Sequence, residues 1–412
     1  MPGRLLITGA SGYIGAALLR QARNRGLQVA VLGSTSAGSP DPGVQVYPWR
    51  LGEAVPGAAL EGVTAMIHVA HFWRADEAGA GDDNPNFTGS LQLAQASAAA
   101  GCPRFVYVSS TAAHEQALNA YGKIKRRTEG ALLERYPGQV LVARPGLVYG
   151  GAQKGIFGLL SKLVRVFPLL PLVGGATLLQ PVHVDEVCAG LLSLALLAQP
   201  DRSSYVLAHP QPIAFADYLR LLRRTATGRK LWLIPIPVTL ALWMCDLTRL
   251  LPGFPTISRE RVYGLIAARP MPSADDLRAL GLLVSDIRIG LLRAPRCGRR
   301  RLIAESRAVL RYLCAGAAPA VLRQLVRAVE RNDGGEPLYL GAMVLRWPAL
   351  LRWLDPLPRR ATSRLVRRLE MGLALQAVAA PRVRPGFAGL FLQGVCEGLA
   401  LPSRLLAGLL QR

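Results

Sequence analysis

The sequence predicts an α/β fold built around a doubly wound parallel sheet. Short apolar segments of strand length alternate with helical segments over the first two thirds of the chain. A glycine-rich turn joins the first apolar segment to the first helix. Hydrophobic residues make up 51% of the 412 residues, enough to build a sizeable core. We expect a smaller lobe from about residues 150–289 and a basic helical extension at 290–412.

The glycine turn follows the apolar run Leu5–Ile7 and contains Gly9, Gly12 and Gly15, after which residues Ala16–Arg25 have helical character. Glycine lets the backbone turn sharply and approach a ligand closely. The N-terminus of the following helix offers N–H groups and a partial positive charge, so the turn suits a pyrophosphate. Glycines at this spacing also occur in tight turns that bind nothing, so the motif depends on its context.

The next two strand segments bear on which dinucleotide such a turn would hold. A second strand, Gln28–Leu32, is followed by Gly33 and Ser34 with no acidic residue to hold ribose hydroxyls. The missing carboxylate removes repulsion against a 2′-phosphate, which favours NADP over NAD. Arg50, beyond a third segment at Val44–Tyr47, is a candidate phosphate partner, although such an arginine is often only solvated.

Polar side chains mark the ends of the fourth and fifth predicted strands, Thr64–Ala70 and Arg104–Val108. His68 lies within the apolar run and is expected to be a core histidine. His71 comes just after the strand, where doubly wound sheets place ligands. Three hydroxyls, Ser109 to Thr111, follow the fifth strand; they suit a substrate carbonyl, or they only cap the next turn.

Tyr121 and Lys125 lie four residues apart in the predicted helix Asn119–Glu134, so they share one helix face. An ammonium beside a phenol favours the phenolate and lowers a pKa that is ordinarily about 10. Tyr121 is therefore a candidate general acid or base near neutral pH. Such pairs also arise by chance in helices, and the position after a hydroxyl-rich strand end is what favours a chemical role.

The rest of the first 290 residues continues the alternation of strands and helices. Proline and glycine predict an irregular loop over Arg144–Gly150, and the acidic residue Asp185 is predicted to cap a helix at Glu186–Leu197. A later helix, Ser273–Leu280, is expected to be capped by Ser273. Asn86-Phe87-Thr88 matches a glycosylation acceptor, but nothing else in the sequence indicates secretion.

Taken in order, these segments resemble the extended short-chain dehydrogenase/reductase superfamily, in its NAD-dependent epimerase/dehydratase branch. The resemblance runs from residue 4 to about residue 290 and implies a Rossmann-type sheet with a small substrate lobe. It is carried by seven segments: Thr8–Gly15, Ile67–Ala70, Asn86–Ser90, Val106–Thr111, Tyr121–Lys125, Arg144–Gly150 and Gln180–Val187.

This resemblance implies the roles of particular residues. Tyr121, Lys125 and Thr111 would be catalytic: Tyr121 moves a proton at a hydroxyl or carbonyl, Lys125 tunes the phenol and holds ribose, and Thr111 polarises the oxygen. No metal site is implied. The residues expected at the NAD or NADP site are Thr8, Gly9, Ser11, Gly12, Tyr13, Ile14, Gly15, Ser34, Arg50, Val69, Ala70, His71, Ser109, Tyr121, Lys125, Pro145 and Val148.

The expected activity is that of an oxidoreductase or epimerase acting on a sugar nucleotide, a sterol-like molecule or a lipid-linked substrate. Trp49-Arg50 stands where the family often has an acidic residue that holds the adenine. The segments at Phe167–Gly175 and Gln180–Asp185 resemble a subgroup that includes the nucleotide-binding accessory subunit of respiratory complex I, which keeps NADPH as a structural element. A non-catalytic NADP(H)-binding assembly protein is therefore the alternative.

Charge and cysteine usage bear on location and partners. The chain carries 49 Lys and Arg against 26 Asp and Glu, a net charge of +23, of which +14 lies in residues 290–412. This extension is predicted to have an apolar helical stripe at 318–332, a linker at Arg299–Arg301 and a last helix at Gly386–Leu410. It is expected to be a helical domain with a solvated basic face, or else to contact an anionic membrane; nucleic acid is the least favoured partner. Six scattered cysteines and no leader-like segment favour a cytoplasmic protein. A homodimer is a separate expectation.

Overall fold

A computed structural model describes residues 3–33, 44–73, 79, 81–136, 138–151, 155–250, 258–292, 299–313, 319–332, 338, 340–352 and 359–379. The chain divides into two compact units, Met1–Arg293 and Ala294–Arg412. The strands are β1 Arg4–Thr8, β2 Val29–Gly33, β3 Gln45–Pro48, β4 Val63–His68, β5 Arg104–Val108, β6 Gln139–Pro145, β7 Leu147–Tyr149, β8 Leu169–Leu172, β9 Leu178–Leu179, β10 Pro181–His183, β11 Ser204–Leu207, β12 Ile213–Ala214 and β13 Trp232–Pro235.

The helices of the first unit are α1 Tyr13–Asn24, α2 Gly57–Leu60, α3 Pro85–Ala99, α4 Ala120–Arg135, α5 Gly155–Val166, α6 Val184–Leu196, α7 Phe215–Thr227, α8 Val238–Leu250, α9 Arg259–Ile266, α10 Ala274–Ala279 and α11 Ile287–Leu292. Those of the second unit are α12 Arg299–Tyr312, α13 Pro319–Asn332, α14 Ala342–Arg346 and α15 Arg359–Ala379, with a 3-10 turn at Pro348–Arg352.

Seven strands of the first unit form one parallel sheet in the order β11-β6-β5-β4-β1-β2-β3. Successive side chains of β1 enter different layers: Leu5 and Ile7 pack with α1 and α6, and Leu6 packs in the core on the other face. A strand buried on both faces needs a continuous apolar run, which explains why the alternation of polar residues is absent there. The predicted doubly wound α/β fold is confirmed.

The Arg144–Gly150 segment is not an irregular loop, and that prediction is wrong. β6 continues through Pro145, and β7 pairs in parallel with β10, joining Val148 to Val182. Gly146 allows this approach, because a Cβ there would lie 2.1 Å from the Gln180 carbonyl oxygen. The pairing joins residues more than 30 positions apart, so local sequence did not indicate it.

One predicted helix cap is also wrong, and a second is confirmed in position but makes no side-chain capping bond. α6 begins at Val184 with His183 as its N-cap: His183 Nδ1 accepts a hydrogen bond from the Asp185 N–H, and Glu186 accepts one from the His183 N–H. Ser273 makes no side-chain capping bond at α10. There the Asp276 carboxylate instead accepts hydrogen bonds from the Val206 N–H and from Arg202, which ties the helix to β11.

The second unit buries the apolar stripe of α13 in its own core. Leu322, Leu325, Val326 and Val329 pack with α12, while Arg323 is exposed. The predicted linker at Arg299–Arg301 is wrong, since these residues form the first turn of α12. Glu305 of α12 is fully buried and accepts hydrogen bonds from Arg301, Arg368 and the Leu338 N–H.

A helix predicted at Gly386–Leu410 lies outside the described residues. Among the helices that are described, none is long and apolar enough to cross a membrane.

Candidate functional site

The glycine turn lies at the carboxyl end of β1, the strand at which the order of the sheet reverses. Gly9 has φ 71°, and a Cβ on it would lie 2.7 Å from the Ala70 backbone nitrogen. A Cβ on Gly15 would lie 2.1 Å from the Gly9 carbonyl oxygen. Glycine at both positions therefore brings α1 and the end of β4 close to the turn, while Ser11 and Gly12 remain exposed at its tip.

The end of β4 is tied to the turn by the Thr8 hydroxyl. Thr8 Oγ1 accepts hydrogen bonds of 3.1 Å from the backbone N–H groups of both Val69 and Ala70. It lies 2.7 Å from His68 Nδ1, so its proton goes to that nitrogen. These hydrogen bonds bring together four predicted site residues at the carboxyl ends of β1 and β4: Thr8, Gly9, Val69 and Ala70.

His68 continues this hydrogen-bond chain away from the sheet edge. Its Nε2 lies 3.0 Å from the Ser90 hydroxyl, which donates in turn to the Asn86 carbonyl oxygen at 2.5 Å. The chain is satisfied only if Nε2 carries the proton and Nδ1 accepts. Complete burial, followed by the charges of Lys125 and His71, lowers the pKa of His68 to about 3. His68 is therefore a neutral core histidine, as expected from its apolar surroundings in the sequence.

Tyr121 and Lys125 lie on α4 beside the carboxyl end of β5. The Lys125 ammonium is 6.0 Å from the centre of the Tyr121 ring and 4.6 Å from that of Tyr107. It donates a 2.8 Å hydrogen bond to the Val108 carbonyl oxygen, and the lysine is only 3% exposed. A buried ammonium with a fixed position exerts a stronger field on the neighbouring phenol than a solvated one would.

The three hydroxyls after β5 have different surroundings. Ser110 Oγ accepts a hydrogen bond from the Ala112 N–H, so this residue stabilises the turn. The Thr111 N–H donates to the Pro145 carbonyl oxygen, which fixes the backbone of Thr111 against the end of β6. Ser109 Oγ is buried and has no hydrogen-bond partner within the described structure. An unpaired buried hydroxyl costs free energy, and a ligand group that bonds to it would recover that cost.

The segment after β4 brings two further rings to Tyr121. His71 meets the Tyr121 ring edge-on, with centroids 5.1 Å apart, and Trp73 stacks on it at 5.1 Å with planes 19° from parallel. His71 was predicted at the site, whereas Trp73 was missed. Its position just after His71, at the end of a strand that lines a predicted site, was the available signal.

Asn86 holds this segment in place. Its Oδ1 accepts a 2.7 Å hydrogen bond from the Phe72 N–H, and its Nδ2 donates to the Phe72 carbonyl oxygen at 3.0 Å. Asn86 is 3% exposed. The amide nitrogen of the glycosylation-like motif is thus committed to a structural contact.

The other predicted site residues are spread around the same sheet edge. Tyr13 donates a 2.5 Å hydrogen bond to the Gly150 carbonyl oxygen, and burial raises the pKa of its phenol. Ile14 and Val148 are partly buried against the core, and Pro145 ends β6. Arg50 is exposed after β3. Ser34 lies outside the described residues.

The residues at the turn fit a dinucleotide. The N-cap of α1 is Gly12, which has no side chain to bond to the first N–H groups of the helix. The first turn of α1 has no acidic residue. The N–H groups at the start of a helix attract a pyrophosphate, and a carboxylate there would repel it. The unpaired Ser109 hydroxyl at the end of β5 supplies a polar contact further along the same edge.

A parallel sheet whose glycine turn lies where its strand order reverses defines a Rossmann-type dinucleotide-binding domain. Residues 5–201 match the sequence model of the NAD dependent epimerase/dehydratase family. The match covers slightly less than half of the chain, and it shows that this part is similar to that family.

Two curated relatives are reductases. The chain is 33% identical over 197 residues to a ceramide reductase of Caulobacter vibrioides, a match that covers 46% of this chain and 60% of that protein. It is 26% identical over 245 residues to a 4-hydroxy-2-methyl-3-oxo-4-farnesyl-3,4-dihydroquinoline-1-oxide ketoreductase of Stigmatella aurantiaca, covering 54% of this chain and 73% of that one.

Solved structures share the fold. A UDP-glucose 4-epimerase of Thermotoga maritima, solved with UDP-glucose, has a TM-score of 0.55 and 18% identity, and the match covers 70% of this chain and 96% of the epimerase. A dTDP-glucose 4,6-dehydratase of Streptomyces venezuelae, solved with NAD, has a TM-score of 0.53 and 21% identity, with coverage of 70% and 95%. At these identities the likeness concerns architecture.

Proposed function

We propose that the protein is a nicotinamide-dependent reductase or dehydrogenase that interconverts a carbonyl and a hydroxyl group on an apolar, lipid-linked substrate. The observation that carries the proposal is the position of Tyr121. Its ring contacts His71, which directly follows Val69 and Ala70, and these are hydrogen-bonded to Thr8 beside the glycine turn. A short run of contacts therefore connects the phenol to the turn that fits a dinucleotide.

In this proposal each side chain has a separate task. Tyr121 Oη gives a proton to the substrate oxygen during reduction and takes it back during oxidation. Lys125, buried beside the phenol, stabilises the phenolate that remains, and Thr111 orients the substrate oxygen. A bound nicotinamide supplies the hydride. Ser109 offers its unpaired hydroxyl to the cofactor or to the substrate.

The cofactor would be held by the glycine turn and the end of β4. Gly9, Gly12 and Gly15 receive the pyrophosphate in front of α1, and the Val69–His71 backbone lies beside it. The exposed side chain of Arg50 is the candidate partner of a 2′-phosphate, which favours NADP over NAD. Replacing Arg50 with Ala should then weaken the binding of NADPH more than that of NADH.

The substrate class rests on the two curated relatives and on the site itself. One relative is named for reduction of ceramide and the other for a ketone that carries a farnesyl group. Trp73, which is 65% exposed, presents aromatic surface next to Tyr121, and the preceding residue Phe72 is 51% exposed. An apolar chain gains from contact with such surface.

The test is a comparison of substrates with full-length protein. NADPH or NADH oxidation is measured with a keto form of ceramide, with a ketone on an isoprenoid chain, and with a UDP-4-ketohexose as the polar comparison. A higher kcat/KM for an apolar ketone than for the UDP-4-ketohexose supports the proposal. Cofactor that co-purifies, does not exchange and is oxidised by none of these would favour the non-catalytic assembly protein instead. A homodimer and a membrane contact through residues 290–412 stay predictions.

A further inference from the structure

A two-stranded parallel ribbon in the smaller lobe has an apolar outer face. β8 pairs with β13 so that Leu169 lies opposite Trp232 and Pro171 opposite Ile234. All four of these residues are exposed, with Trp232 at 69% and Leu169 at 50%. The residues between them, Leu170 and Leu233, pack inward against the lobe core. We call the four outward residues the apolar ribbon face.

Helix α8, which follows β13 after two residues, also carries exposed apolar side chains. Leu240 and Trp243 are 41% and 60% exposed and lie three residues apart, hence on one side of the helix. Ala241 and Cys245 of the same helix are buried. Two exposed tryptophans and several aliphatic side chains within one lobe exceed the scattered apolar residues that are normal on a protein surface.

The position of β8 is fixed from inside the lobe. Arg223 of α7 is buried, and its guanidinium donates to the carbonyl oxygens of Val164 and Phe167, at the end of α5 and just before β8. A buried arginine that bonds to two carbonyls three residues apart holds this connection in one conformation. The outward direction of Leu169 and Pro171 is therefore part of the fold.

The charge of the lobe complements an anionic surface. The segments 155–184 and 218–245, which contain β8, β13 and most of α8, have no Asp or Glu and seven Lys or Arg. Five of these cations are exposed: Lys162, Arg220, Arg224, Arg229 and Lys230. Arg220 pairs with Asp217, the residue just before the second segment. Arg229 and Lys230 are separated from Trp232 only by Leu231, so basic and apolar groups adjoin one another. This combination is the one that anionic lipid headgroups attract.

We propose that this lobe docks on an anionic lipid bilayer through the apolar ribbon face and the exposed side of α8. Trp232 and Trp243 lie at the level of the headgroups, Leu169, Ile234 and Leu240 enter the acyl boundary, and the exposed cations pair with lipid phosphates. The inference does not depend on the proposed function, because docking requires neither substrate nor cofactor. It differs from a contact through residues 290–412, and in the second unit the apolar stripe of α13 is buried.

The first test uses tryptophan quenching with full-length protein and vesicles of phosphatidylglycerol and phosphatidylcholine that carry brominated acyl chains. Three single variants are compared, Trp232→Phe, Trp243→Phe and Trp73→Phe, because these tryptophans have similar exposure, 69%, 60% and 65%. The quenched fraction of the total tryptophan emission should fall in the Trp232 and Trp243 variants. It should not fall in the Trp73 variant, because that change removes only emission that the bilayer does not quench. Absent quenching in the wild type, or equal quenching in all three variants, would overturn the proposal.

A second test measures affinity by vesicle flotation. Ile234→Glu should lower the vesicle-bound fraction by about tenfold or more at low salt, because it places a charge in an apolar contact and repels anionic lipid. Leu283→Glu is the matched control, since Leu283 is a 95% exposed apolar residue outside these segments. Equal binding of the two variants contradicts docking at the ribbon. The proposal is also overturned if the wild-type protein does not bind vesicles and is a dimer that Ile234→Glu converts to a monomer. In that case a second copy of the chain covers this face.

Discussion

The indole of Trp73 lies over the phenol of Tyr121, with ring centroids 5.1 Å apart and planes 19° from parallel. Trp73 is nevertheless 65% exposed, so it covers one side of the phenol while facing solvent with the other. Stacking on an aromatic ring limits the rotation of Tyr121 and excludes water from one of its faces. Trp73 is therefore a positioning residue for the proposed proton transfer.

Removing this stack should slow the reaction. Trp73→Ala should lower kcat/KM by about threefold to tenfold, the value of an aromatic pair worth roughly 0.5–1.5 kcal/mol. Trp73→Phe retains a ring and should recover most of the loss. Steady-state kinetics on the three proteins tests this. An alanine variant as active as the phenylalanine variant would show that the stack has no role in the reaction.

Lys125 should matter for chemistry far more than its neighbour on the same helix. Lys125→Met removes the ammonium beside Tyr121 and its bond to the Val108 carbonyl, and we expect kcat to fall by about 100-fold or more. Lys123→Met is the control, because Lys123 is exposed two residues earlier on α4. Circular dichroism confirms folding of both variants. Equal losses of kcat in the two variants would contradict a role of Lys125 in the reaction.

His68 should make the first unit sensitive to acid. Its pKa is lowered to about 3 in the folded protein, while the unfolded chain protonates near 6.5, so the unfolded state binds more protons between these values. The contribution of neutral His68 to the stability of the fold is therefore fully present above pH 6.5 and is lost as the pH falls toward 3. Between pH 7 and pH 5, protonation of this residue in the unfolded state should lower the free energy of unfolding around β1 and β4 by about 2 kcal/mol.

Native-state hydrogen exchange of the β1 and β4 amides at each pH measures this free energy. His68→Gln, which cannot be protonated, should show a shallower decline than the wild type. If His68→Gln and the wild type lose stability in parallel, the buried histidine is not the cause.

Glu305 should be critical for the second unit. Its buried carboxylate accepts hydrogen bonds from Arg301, Arg368 and the Leu338 N–H, and Arg368 is itself 1% exposed. Glu305→Ala leaves a buried guanidinium without its counter-charge and should destabilise this unit by about 3–5 kcal/mol. Urea-dependent hydrogen exchange of α12 measures the loss. Glu370→Ala, at an exposed position on α15, should cost little.

Much of the fold could be predicted because its signals are local. The apolar run of β1, the glycines after it and the i,i+4 pair Tyr121 and Lys125 each lie within a few residues, and the structure brings their segments to one sheet edge. The doubly wound order follows from the alternation of strands and helices. The assignment of catalytic roles to these residues stays a prediction that kinetics must test.

The parts that could not be predicted depend on distant partners. Trp73 reaches Tyr121 because Asn86, 14 residues after Phe72, binds the Phe72 backbone. The cap of α6 is a histidine ring nitrogen, which local cap preferences do not favour over Asp185. In each case a long-range contact or an uncommon acceptor decides the structure, and neither leaves a pattern in the sequence.

The central claim is that Tyr121 transfers the proton in a nicotinamide-dependent reaction, and Tyr121→Phe tests it most directly. Single-turnover reduction of an accepted apolar ketone, with cofactor binding measured alongside, is compared with Tyr47→Phe, which removes a phenol on β3. The account predicts that Tyr121→Phe loses about 100-fold to 10,000-fold in rate with cofactor affinity nearly unchanged, while Tyr47→Phe behaves as the wild type. Turnover by Tyr121→Phe at the wild-type rate would contradict it.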